Sequence, residues 1–139
     1  MMPEDATPRR FTTPPSLAEF EALAELALAG IPARLRRHID NVGIAVEDMP
    51  DDATLDEMGI ESAWDLTGLY RGTPLHLRHA GEVAREPDLI VLYRQPILLE
   101  WVETDEDLPR LVRSVLIHEI AHHFGFSDAD IEALERDGA

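Results

Sequence analysis

Between Ser114 and Asp128 the chain reads SVLIHEIAHHFGFSD, which places three histidines, a glutamate and an aspartate within the eleven residues 118–128. On an α-helix, at 100° per residue, His118 and His122 fall about 40° apart, so both imidazoles can face one ion from consecutive turns. Glu119 lies about 100° round from His118, beside such an ion rather than on it. Two nitrogen ligands with a carboxylate poised over the remaining coordination position is the arrangement that HExxH provides. Two ligands hold zinc poorly, and catalytic sites have three plus a water. The third must come from elsewhere: Gly125 ends the helix and lets the chain turn back, and Asp128 follows three residues later. The extended pattern is HExxHxxGxxD. HExxH alone arises by chance in roughly one or two chains per hundred of this length, and the added Gly and Asp cut that to about one in ten thousand. His123 faces about 140° from His118 and is left out of the metal site. His38, His76 and His79 stand in no ligand spacing with one another.

The remaining composition narrows the chemistry. The 139 residues contain no cysteine, which removes disulfides and thiol catalysis and leaves His, Asp and Glu as the strong metal ligands. A formal net charge of −16 argues against nucleic-acid binding, which needs clustered cations. With 45% hydrophobic residues, one compact domain with a real core is expected. No run is long and apolar enough for a membrane span, and MMPEDATPRRFTTPPS does not read as a secretory signal, so a cytoplasmic location is expected. All twelve basic residues are Arg and none is Lys, a hint of a GC-rich bacterial genome.

The elements that must position the motif can be read along the chain. Residues 1–15, with four prolines, read as a flexible arm, and residues 16–139 as the domain. Ser16 with Glu19 forms a capping box that starts a helix, interrupted by Gly30 and Pro32 and followed by a second over Arg34–Asn41. Arg34, Arg36 and Arg37 read as a solvated helix face. Val42–Asp48 alternates as a half-buried strand, and the acidic residues 51–66 read as a solvated linker without a calcium loop. Leu66–Leu77 suggests two short strand pieces about a turn. Asp88–Arg94 is the clearest strand, and its flanking Pro87 and Pro96 suggest an edge. The segment Thr104–Asp107 caps a helix with Pro109 in its first turn; this helix is apolar almost all round, hence buried, and carries the motif to Gly125. A short helix over Asp128–Arg136 closes the chain.

At these residues the sequence resembles the zincin-like metallopeptidases, and more narrowly the minimal zincin-like family of small bacterial proteins with the extended motif near the C-terminus. The run from His118 to Gly125 is very similar to that family's signature, and Leu69–Gly72 and Asp88–Ile97 look like its upstream elements. The resemblance implies an α+β domain: a small mixed β-sheet, a buried active-site helix, and flanking helices packed on one side. It implies zinc held by His118, His122 and Asp128, with Glu119 as catalytic base. Peptide or protein substrate would lie as an added strand along the edge strand 88–94. Eleven residues follow Asp128, none a Met, and there is no room for a second lobe, so the substrate site is expected to be shallow or completed by a partner. The expected activity is peptide-bond hydrolysis by a zinc-bound water. The rival expectation is a non-catalytic, zinc-stabilised protein-binding module. Tyr70, Arg71, Tyr93, Arg94 and His123 are candidates for stabilising the oxyanion.

Overall fold

A helix survives or fails on how its ends are satisfied, and the first helix shows why the capping box could be trusted. In the computed structural model, which describes residues 12–37, 39, 42–72 and 88–137, α1 spans Leu17–Ala29. The Ser16 hydroxyl accepts from the Glu19 amide, and the Glu19 carboxylate accepts from the Ser16 amide in return. A one-turn helix, α2 (Ala33–Arg36), follows, shorter than expected, with Arg34, Arg36 and Arg37 exposed. Of the proposed arm, residues 1–11 lie outside the described residues. Pro15 is buried, and its carbonyl accepts from Arg94 Nε at 2.8 Å.

Three described strands form one mixed sheet in the order β1-β3-β2, with β1 at Val42–Glu47, β2 at Gly68–Arg71 and β3 at Asp88–Tyr93. β1 runs parallel to β3, pairing Val42 with Asp88 through Glu47 with Tyr93. β2 runs antiparallel on the other side, pairing Gly68 with Leu92 and Arg71 with Leu89. The expectation that 88–94 is an edge strand is therefore wrong: β3 is the central strand. Its near-continuous apolar run was the better guide, because a strand covered on both faces has no polar side to alternate. The flanking prolines do not interrupt the ladder. Pro87 precedes the strand, and Pro96 sits in the first turn of α4 (Arg94–Thr104), where no intrahelical donor is lost.

Side chains of β3 alternate between two apolar clusters. Ile90 and Leu92 join α1 and the motif helix in the main core, while Val91 and Tyr93 pack with Leu55, Leu66 and Leu69 on the opposite face. That second face explains another correction. Part of the acidic stretch 51–66 is not linker but α3 (Asp52–Met58), followed by a single 3-10 turn at Ala63–Asp65. The Asp51 side chain caps α3 by accepting from the Thr54 amide at 2.8 Å, and buried Leu55 anchors it to the sheet. The helices thus flank both faces, not one. The molecule is α+β, as expected.

The motif lies on α5 (Leu108–His123), capped by Asp107, whose carboxylate accepts from the Arg110 amide. Leu116, Ile117 and Ile120 are fully buried, which makes this the central helix of the core. α6 (Asp128–Asp137) packs back against it through Ile131 and Leu134. No helix among the described residues is long and apolar enough to cross a membrane.

Candidate metal centre

α5, the turn after it and the first residue of α6 carry the motif. α5 ends in a Schellman arrangement: the Phe126 amide donates to the Ala121 carbonyl at 2.9 Å and the Gly125 amide to His122 at 3.1 Å. Gly125 has φ of +78°, a left-handed conformation that a Cβ disfavours. The chain reverses there, and Ser127 starts α6 by a reciprocal exchange with Asp130. Asp128 is consequently the first residue of α6 and is delivered beside the end of α5.

α5 presents two chemically different sides. His118 and His122 share one, toward α6, with ring centroids 5.9 Å apart. His118 Nδ1 is 2.9 Å from the Ser114 carbonyl oxygen and 3.1 Å from Glu135 Oε1. His122 Nε2 is 3.8 Å from Asp128 Oδ1. Glu135 was not singled out by sequence. Its signal was its place on an amphipathic helix two turns beyond Asp128, which is indistinguishable from an ordinary solvated acid. Glu119 and His123, four residues apart, take the other side, toward β2. Glu119 packs against Gly68, and His123 stacks on Tyr70 with centroids 3.8 Å apart.

Glu119 is set apart electrostatically. Burial pushes its carboxyl up to about 7, against the opposing pull of His118. A carboxyl balanced near neutrality can both take and return a proton, which a general acid–base group must do.

Two imidazoles and a carboxylate are the nitrogen and oxygen donors that a catalytic zinc site uses, so the chemistry of His118, His122 and Asp128 fits that metal. With the Nδ1 side of His118 turned to Ser114 and Glu135, its Nε2 is the nitrogen left for an ion. The three side chains are not drawn to a single point, and among the described residues no group of three His, Asp or Glu side chains is gathered closely enough to hold a metal. His122 and Asp128 are half to fully solvent-exposed, so rotation about their side-chain bonds is sterically open, whereas His118 is tied to Ser114 and Glu135.

The oxyanion candidates separate by face. Tyr93 is buried in the second cluster, away from α5. Arg71 bonds Glu57 and Thr54 on α3, and Arg94 bonds Asp48 and the Pro15 carbonyl. Tyr70 and His123 remain on the Glu119 side; the Tyr70 hydroxyl donates to Asp88 Oδ2 at 2.8 Å. His76 and His79 lie outside the described residues.

A search of curated proteins found no significant match. A family model described as a zincin-like metallopeptidase matches residues 39–138, which takes in every element from β1 to α6. Most of the length is covered, and the chain belongs to the zincin-like metallopeptidase family.

Proposed function

We propose that the protein is a zinc-dependent peptidase in which His118, His122 and Asp128 hold the metal and Glu119 is the general base. The observation that carries this reading is the placement of Glu119: one residue from His118, against Gly68 of β2, and partly buried, which pushes its carboxyl up to about 7. Bound zinc supplies a Lewis acid that acidifies water and polarises a scissile carbonyl. Glu119 takes the proton from the attacking water and passes it to the leaving amine. The substrate backbone is aligned along β2, the strand that Glu119 and His123 face. This replaces β3, whose two ladders are already occupied. Tyr70 and His123 are the oxyanion candidates on the Glu119 side; the one hydroxyl hydrogen of Tyr70 is donated to Asp88, so Tyr70 serves the carbonyl oxygen only by leaving that carboxylate.

The rival reading, a non-catalytic module stabilised by zinc, leaves the partly buried Glu119 without a role. Glu119→Gln decides between them. It should retain stoichiometric zinc and lose hydrolysis in a peptide-library digest; undiminished turnover would refute the assignment.

A further inference from the structure

We propose that Ser114 and Glu135 form a positioning pair that holds His118 with its proton on Nδ1, so that Nε2 is presented to the metal. Three contacts converge. His118 Nδ1 lies 2.9 Å from the Ser114 carbonyl oxygen and 3.1 Å from Glu135 Oε1. The Ser114 hydroxyl donates to that same Oε1 at 2.8 Å. A carbonyl oxygen can only accept, so Nδ1 is the nitrogen that carries the hydrogen. Ser114 therefore acts twice: its main chain receives the imidazole N–H, and its side chain fixes the carboxylate that shares it.

The geometry gives α6 a second task besides supplying Asp128. Seven residues separate Asp128 from Glu135, two helical turns, so both carboxylates lie toward α5. The first stands near Nε2 of His122, where a ligand would be; the second meets Nδ1 of His118, on the far side of the ring from an ion at Nε2. Buried Ile131 and Leu134 between them hold α6 against α5. A carboxylate behind a ligating imidazole fixes its orientation and raises its basicity. Glu135 acts through His118 and is a positioning residue, not a ligand.

This inference takes its consequence for zinc from the proposed function, but its geometry is present in the metal-free protein, which allows the two to be tested apart. In zinc-free protein carrying 15N-labelled histidine, at a pH where imidazole is neutral, His118 should be the Nδ1–H tautomer. Glu135→Ala, which suits a helix, should raise the Nε2–H population and weaken zinc binding ~10–100-fold in a chelator competition. Glu135→Gln keeps an acceptor and should hold the tautomer with a smaller loss; Ser114→Ala should shift both readouts in the direction of Glu135→Ala. An unchanged tautomer together with unchanged zinc affinity in Glu135→Ala would overturn the pair. Adding Glu135→Ala to His118→Ala should weaken zinc no further; a further loss would make Glu135 a direct ligand and overturn the proposal. If His118→Ala leaves zinc affinity intact, the zinc site assignment fails, while the tautomer comparison still decides the pair.

Discussion

Gly68 leaves room for Glu119 across the β2–α5 interface: a Cβ on the glycine would lie 3.3 Å from Glu119 Cγ and 2.9 Å from Val115 Cγ1. At this point of β2 the strand offers the base no side chain. Its position and its desolvation both depend on that missing methyl group.

Gly68→Ala should therefore destabilise the protein by about 1–3 kcal/mol, the cost of overpacking a fitted contact, and lower turnover through the displaced Glu119. Val115 is the harder obstacle, being short, branched and buried. The penalty of Gly68→Ala should shrink when measured in a Val115→Ala background, and a double-mutant cycle by urea unfolding reads the coupling. Strict additivity would show that the strand simply moves away.

Burial of Glu119 has a pH signature in zinc-free protein. Its folded carboxyl titrates near 7, above the ordinary carboxylate range, so between about 4.5 and 7 the folded state holds a proton that the unfolded chain has released. Stability contributed by the protonated form is complete below that window and is lost as pH rises through it. The loss is about 3 kcal/mol at most, since the group is only partly removed from water. Glu119→Gln, which cannot ionise, should gain on wild type by up to that amount between pH 4 and pH 8, measured as the difference in unfolding free energy in chelator-treated buffer. A difference that stays flat with pH would mean that burial does not perturb this group.

The turn at Gly125 can be tested separately from the chemistry. Nothing lies within 4 Å of a Cβ built there, so any cost of a side chain comes from the +78° φ alone. Gly125→Ala should cost about 1–2 kcal/mol and Gly125→Asn less, because Asn tolerates the left-handed region. If Asp128 is a ligand, zinc affinity should fall in the same order, Gly125→Ala below Gly125→Asn, in a chelator competition.

What the sequence made legible was whatever depends on local spacing. The capping box at Ser16, the strand at Val42, the cap and proline of α5 and the stop at Gly125 all follow from residues within a few positions of one another. The errors were of a different kind. Whether Asp88–Tyr93 is central or at an edge depends on which distant strands flank it, and prolines just outside a strand carry no information about its partners. The segment after Asp51 looked like linker because its acids dominate the composition. Only its packing against Leu66, Leu69 and the far face of β3 turns Leu55 from an isolated apolar residue into an anchor. Glu135 was invisible for the same reason, since its contact with His118 exists only once α6 has folded back. Motif residues can be found by counting; their supports require the tertiary arrangement.

The charge of the protein sets one preference for a substrate lying on β2. A net charge of −16 raises the local concentration of cations and disfavours anions, and the effect is screened within about 8–10 Å at physiological salt. Among peptides matched in length and apolar content, cationic ones should be cleaved with higher kcat/KM than anionic ones. The advantage should narrow as salt rises from 20 mM to 500 mM (about a fivefold contraction of the Debye length). A preference that persists unchanged at high salt would point to a specific acidic contact, and Glu57, exposed on α3 and paired with Arg71 of β2, is the first residue to substitute in that case.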